Sequence, residues 1–293
     1  MPLIAIPNAS TGSDAKTIRA LAEAIGDAGA TLLDIHSDDV HDRSVFTIAG
    51  SEGELVEATA TMAERARGLD LTVQRGVHPR MGVLDVCPFV PHGDATMVDA
   101  VSAARSAGEL IASRSGIPVF LYGEAALRSP RPTLPELRRG GLAELRGRAK
   151  RGLGPDFGED IDDRLGVVCV GARDVLIAFN VWIKSDPKTA RAIARQVRES
   201  HSGLTGVRAL GFEIEAPDTC QVSMNLTTPE AIGIEDALSA VEARARALRA
   251  KVTATEIVGL PPERFMPTAN ARATRLLKEP GRSLEDALRE AGL

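Results

Sequence analysis

The sequence predicts a mixed α/β (α+β) chain built from two β-α-β-β-α-β units in tandem. Three observations predict it. Short apolar runs alternate with stretches whose apolar residues recur at helical spacing. The same order of elements occurs twice along the chain. The length of 293 residues, with 44% hydrophobic and 26% charged side chains, is enough to bury two cores.

The elements follow in order. Residues 3–7, with Ile4 and Ile6, read as a strand that ends in the turn PNASTGS. Ile18, Leu21, Ala22 and Ile25 mark a helix that Gly29 closes. Residues 31–35 and 44–49 are strands joined by the polar hairpin segment HSDDVHDR. Leu55, Thr59, Met62 and Ala66 form one helix side, and residues 83–90 a buried strand. Thr96 and Asp99 have the spacing of a capping box, which opens a helix to about residue 114. Residues 118–122 add a strand. In the second half, residues 175–183 are a strand, and Asp186-Pro187 caps a helix with Ala190, Ile193, Ala194 and Val197 inward. Strand 207–215 places Leu210, Phe212 and Ile214 on one face. Strand 219–227 sets Cys220, Val222, Met224 and Leu226 against Gln221, Ser223, Asn225 and Thr227. Helix 235–250, with Leu238, Val241, Ala245 and Leu248, and strand 252–258 complete the repeat. This split order is that of ferredoxin-like units. The expected division is 1–173, 174–266 and a helical tail 267–293.

The formal net charge of −5 gives no general attraction for nucleic acid or anionic lipid. Aromatic residues are 3% of the chain, which disfavours a base-stacking RNA module. Cys87, Cys169 and Cys220 lie far apart in apolar runs, as buried reduced thiols of a cytoplasmic protein do. The start, MPLIAIPNAS, has no basic segment and too short an apolar run for a signal peptide, and no stretch of about 18 apolar residues predicts a membrane span.

The stretch RGVHPRMGVLDVCPFVP, residues 75–91, carries the clearest chemistry. Gly76, Pro79 and Gly82 punctuate a loop that presents Arg75, His78 and Arg80 at the start of a core strand. Guanidinium forks suit carboxylates. Neighbouring cations would keep the imidazole neutral and able to accept a proton. An anionic substrate and a proton transfer would need this arrangement. The segment DIHSDDVHDR offers Asp34, His36, Asp38, His41 and Arg43, but its spacing matches no zinc pattern, and a polar hairpin loop is the simpler reading. PNASTGSD could bind an anion at a helix N-terminus, yet it lacks the phosphate-loop signature of a nucleotide site. Residues 134–151 are basic, and residues 156–163 hold five acids around Phe157 and Gly158. They read either as a solvated helix and loop or as a mobile segment over a cleft between the units.

The segments LLDIHSDDVHDRSVFTIAG, RGVHPRMGVLDVCPFVP, PVFLYGEAA, PDFG, VGARDVLIAFNV, QVSMNLT and EIVGLPPERF occur in this order between residue 1 and about 266. Together they resemble the glutamate formimidoyltransferase (formiminotransferase) family, including the transferase portion of formimidoyltransferase-cyclodeaminase. The resemblance implies two ferredoxin-like subdomains with a folate cleft between them. It implies transfer of a formimidoyl group from N-formimidoylglutamate to tetrahydrofolate, the latter as co-substrate, with no metal. The HPR motif carries the catalytic histidine to His78. Arg80, Arg75, Asp34, His36 and Arg43 become the implied substrate contacts. The folate loop carries over to Gly158, Glu159, Asp160, Ile161, Asp162, Asp163, Arg164, Leu165 and Gly166. The implied partners are formimidoylglutamate and folate, with a homodimer admitted and neither nucleic acid nor membrane. Asn8-Ala9-Ser10-Thr11-Gly12 stands where the family usually has NFSEG, and His41-Asp42-Arg43 where it has HNR. The loop EDIDDRLG is more acidic than usual, which would repel a glutamate tail and favour the pterin. It also motivates an alternative one-carbon donor such as 5-formyltetrahydrofolate. A tandem nucleic-acid-binding module is the third reading.

Overall fold

The structure is a computed structural model that describes residues 3–214 and 218–293. The expected chain start at Met1 and the expected strand end at Glu215 lie outside the described residues. The chain divides into two compact units that meet in sequence at Asp174/Val175.

The first unit runs β1 (Leu3–Ala5), β2 (Asn8–Ala9), α1 (Ala15–Asp27), β3 (Thr31–Asp38), β4 (Arg43–Gly50), α2 (Glu52–Ala66), β5 (Leu84–Val90), α3 (Met97–Ser115), β6 (Val119–Gly123), α4 (Leu134–Arg138), α5 (Gly141–Lys150) and β7 (Val168–Ala172). β1 and β2 both pair antiparallel with β4 and β5, and act as one interrupted strand. Pro7 lies at the interruption, where it has no N–H to give to a ladder. β3 extends the sheet beyond β4, and β7 and β6 extend it beyond β5 in parallel. β7 was not expected from the sequence. β3 and β4 are also longer than expected, so His36 is a strand residue and only residues 39–42 form the turn.

Alternation splits the strands between two faces. Phe46, Ile48, Phe89, Leu121 and Val170 join the core that α1, α2 and α3 cover. Val86, Phe120, Tyr122, Val167 and Cys169 face the other way, where Leu137 of α4 and Leu145 of α5 pack on them. The basic segment is therefore anchored to the sheet through an apolar side, a contact its charge hides. The expected capping box is present: Thr96 receives the Asp99 N–H, and Asp99 receives the Thr96 N–H at 2.7 Å.

The second unit runs β8 (Ile177–Lys184), α6 (Pro187–Val197), β9 (Val207–Glu213), β10 (Thr219–Leu226), α7 (Ile234–Ala247), β11 (Lys251–Val258), α8 (Arg272–Leu276) and α9 (Leu284–Glu290). Its sheet has the order β11-β8-β10-β9, antiparallel throughout. The alternation read for β10 holds, with Cys220, Val222, Met224 and Leu226 all in the core. That for β9 needs correction. Val207 and Ala209 are the buried residues, while Leu210 is 45% exposed, because the small side chains lie beneath α6. Leu248, expected inward on the helix, is exposed just past the end of α7.

Residues 267–293, expected as an added tail, belong to this second unit. Ala273 is fully buried in its core, and its carbonyl accepts a 2.9 Å hydrogen bond from Thr255 on β11. The three cysteines are buried and unpaired. Among the described residues no helix is long and apolar enough to cross a membrane.

Candidate active site

The loop before β5 is held from beneath. Ser10 Oγ donates to the Gly82 carbonyl at 2.7 Å, and the Gln74 amide donates to the Ser10 carbonyl. Arg80 spreads its fork over Asp42, at 3.4 Å, the Gln74 side chain, at 3.2 Å, and the His41 carbonyl, at 3.2 Å. Arg80 was expected to take a substrate carboxylate. Its donors are instead occupied in tying the His78 loop to the β3–β4 turn. Arg75 is exposed on the same loop.

His78 is half-buried, and its Nδ1 lies 2.7 Å from the Pro79 carbonyl. A carbonyl only accepts, so the neutral ring carries its proton on Nδ1 and its basic lone pair on Nε2. Arg43 Nη1 approaches the same Nδ1 at 3.5 Å. Burial lowers the pKa of His78 well below its ordinary value, and the Arg43 and Arg138 guanidiniums lower it further. The sequence suggested that cations would do this, but named Arg75 and Arg80; the cations in place are Arg43 and Arg138.

Behind the histidine lies a carboxylate that the sequence reading overlooked. Asp85 is fully buried. It accepts from Arg43 Nη1 at 2.5 Å, from Arg138 Nη2, and from the Met81 N–H at 2.7 Å. Burial alone would raise its pKa, yet the two arginines and the hydrogen bonds hold it well below the usual carboxylate range. Arg43 also donates through Nε to Asn8 Oδ1 at 3.0 Å. A lone acid inside LDVCPFV was the available signal, since a buried carboxylate needs a cation. Arg138 gave none, because one arginine in a basic segment looks solvated.

Directly paired residues share a sheet face. Asp38 pairs with Arg43, His36 with Val45 and Asp34 with Thr47. Asp34 and His36 thus share the face of Arg43, one and two side-chain steps of about 7 Å along the strands. His41 is engaged by Asp38 at 3.0 Å. Burial would raise the pKa of Asp38, but the His41 hydrogen bonds outweigh it and bring it down to about 2. Among the described residues no three His, Cys, Asp or Glu side chains gather as a metal set. The N-terminus of α1, considered for an anion, is closed by the Asp14 carboxylate on the Lys16 and Thr17 N–H groups.

The loop 158–166 adjoins the histidine loop. Gly82 and Gly166 form an antiparallel bridge. A Cβ on Gly82 would lie 1.9 Å from the Val167 carbonyl, and one on Gly166 2.1 Å from the Met81 carbonyl, so only glycines permit this approach. Two of the four loop acids are engaged. Asp162 accepts the Arg164 and Leu165 N–H groups, each at 2.8 Å, and Asp163 pairs with Arg146 at 2.5 Å. Glu159 and Asp160 are exposed. Asp156, just before the loop, accepts the Leu121 N–H at 2.8 Å and is structural.

Fold and site define an α/β protein whose first unit holds a histidine flanked by guanidiniums and backed by a buried carboxylate. The family model for the formiminotransferase domain, N-terminal subdomain, matches residues 3–173, and that for the formiminotransferase domain matches residues 178–279. A glutamate formimidoyltransferase of Streptococcus pyogenes is 37% identical over 89% of each chain. One of Thermoplasma acidophilum is 36% identical over 89% of this chain and 88% of its own. The formimidoyltransferase-cyclodeaminase of Sus scrofa is 36% identical over 88% of this chain and 49% of its own. The chain belongs to the formiminotransferase family.

Proposed function

We propose that the protein moves the formimidoyl group of N-formimidoyl-L-glutamate to the position-five nitrogen of tetrahydrofolate, giving glutamate and 5-formimidoyltetrahydrofolate. The relatives that span nearly the whole chain support the reaction. The observation that carries the site is the Gly82–Gly166 bridge, which sets the His78 loop against the loop of residues 158–166.

The folate nitrogen attacks the amidine carbon, forming a carbon–nitrogen bond and a tetrahedral intermediate. His78 Nε2 takes the proton from that nitrogen. The bond to the glutamate nitrogen then breaks, and the same imidazole returns the proton to the leaving amine. An imidazole with a depressed pKa stays neutral at pH 7 and begins as the base. Residues Gly158 to Gly166 bind the folate. Arg75, exposed beside His78, receives a carboxylate of the donor, with Asp34, His36 and Arg43 on the adjoining sheet face. Arg80 holds the loop. The second-unit strand order β11-β8-β10-β9, and the same alternation of pairings among β1–β5, support reading both units as ferredoxin-like.

The test is to incubate the protein with both substrates and follow glutamate release. Turnover is expected, with kcat lower by about 10²- to 10⁴-fold in a folded His78→Ala variant. No glutamate release would refute the reaction, and near-normal turnover in the variant would refute the role of His78.

A further inference from the structure

We infer that Arg138 is a positioning residue of this site, its guanidinium shared with Arg43 on the buried carboxylate of Asp85 so that an excess positive charge stands behind the His78 ring. The inference rests on the reading of His78 as the acid–base group.

Two guanidiniums meet one carboxylate here. Asp85 Oδ2 accepts from both arginines, and Oδ1 is taken by the Met81 N–H at 2.7 Å. The cluster therefore keeps one uncompensated positive charge. It lies largely away from water, with the side chains of Arg43, Arg138 and Asp85 11%, 21% and 0% exposed. Screening is weak there, and the charge acts on its neighbours at close to full strength. The charged groups that face His78 come from four segments: Arg43 on β4, Arg138 on α4, Asp85 on β5 and His41 in the turn before β4. Asp85 offsets one arginine; Arg138 supplies the second.

Stability alone does not explain Arg138. Leu137 gives α4 its apolar contact, and Thr133 and Glu136 box its start. Arg138 Nε is buried with no hydrogen-bond partner among the described residues, which is a cost to folding. The helix is nonetheless fixed around it. Arg148 on α5 donates to the carbonyls on both sides of Arg138, to Leu137 at 2.6 Å and to Arg139 at 3.2 Å, and to Glu136 at 2.8 Å. A charged side chain held this firmly, with one of its own donors unsatisfied, is placed for its field.

With Arg138 neutralised, Arg43 and Asp85 balance, and the His78 ring should take up a proton more readily. The measurement is an NMR titration of the ring in isotope-labelled protein. The chain has 5 histidines, and the His78 signal is the one absent from a His78→Gln variant. Arg138→Gln should raise the His78 midpoint by about one pH unit, in the range one nearby charge produces. Arg138→Lys should restore most of it, since it keeps a cation. The acid limb of the kcat/KM profile should move by the same amount. Arg148→Ala keeps every charge of the cluster and only frees α4; it should give a smaller rise and serves if Arg138→Gln does not fold. An unchanged midpoint in these folded variants would overturn the inference, even if kcat falls. The ring titration needs no turnover, so it judges Arg138 separately from the transferase reading.

Discussion

Asp85 should be the residue least able to lose its charge. Replacing it with Asn leaves Arg43 and Arg138 facing each other in a buried site with no anion between them. Breaking a buried ion pair from one side typically costs about 3–5 kcal/mol. Urea unfolding of Asp85→Asn should show a loss of that order; a loss under about 1 kcal/mol would mean that water already solvates the cluster. The same residues set the acid response. Asp85 has a depressed folded pKa, so its contribution is present above its unfolded value, about 4, and fades as pH falls through the folded value. His78 acts earlier. Its folded pKa is lowered, so below its unfolded value of about 6.5 the unfolded chain takes up the proton first. Stability should therefore decline from about pH 6.5 downward. His78→Gln should flatten that decline between about pH 6.5 and 5, read from urea midpoints. An equally steep slope in the variant would assign the decline to other groups.

At the scale of elements, the legible parts were those with chemical punctuation. Gly76, Pro79 and Gly82 marked the histidine loop, and Asp186-Pro187 and Thr96/Asp99 marked helix starts. β7 was missed because an unbroken apolar run such as VVCVGA carries no period. α4 is five residues long, too short for a helical repeat to register. With it went Arg138, and with the apolar strand β5 went Asp85, so half of the charged cluster was invisible while Arg43, His78 and Arg80 were not. The acidic loop shows what charge counting omits. Asp162 closes its own turn and Asp163 pairs with Arg146, which leaves Glu159 and Asp160 to meet an approaching anion. A carboxylate about 4 Å from either would be opposed by up to ~1 kcal/mol at low salt. Glu159→Gln with Asp160→Asn should therefore lower KM for polyglutamyl relative to monoglutamyl tetrahydrofolate, most strongly at low ionic strength. Asp163→Asn should change the ratio little. A ratio insensitive to both salt and the double variant would place the loop acids away from the folate tail.

For the whole molecule, the sequence disclosed two units through the repeated order of elements, but misjudged what completes the second. Counting six elements put its end near residue 266, because nothing after it carries a long apolar period. Packing puts the limit further on. Ala273 is fully buried in the second core, and Leu276 and Leu277 pack against it half-buried. The Ala273 N–H and carbonyl are bound by Glu235 of α7 at 2.7 Å and by Thr255 of β11 at 2.9 Å, and the Lys278 N–H reaches the Thr255 carbonyl at 3.1 Å. Lys278 also lays its ammonium over the Trp182 ring at 3.7 Å from the centroid. Without this segment, β11 loses the chain that covers its outer edge, and the buried Thr255 hydroxyl loses its acceptor. Each half-buried leucine contributes about 1 kcal/mol and the orphaned hydroxyl another 1–3 kcal/mol, against a domain stability of only about 5–15 kcal/mol. A fragment of residues 175–293 should therefore fold alone with a cooperative urea transition, because it holds a complete core. The fragment 175–266 should unfold at markedly lower urea, with a loss of about 3–5 kcal/mol from these terms. If the two fragments share one midpoint, residues 267–293 are an appendage after all.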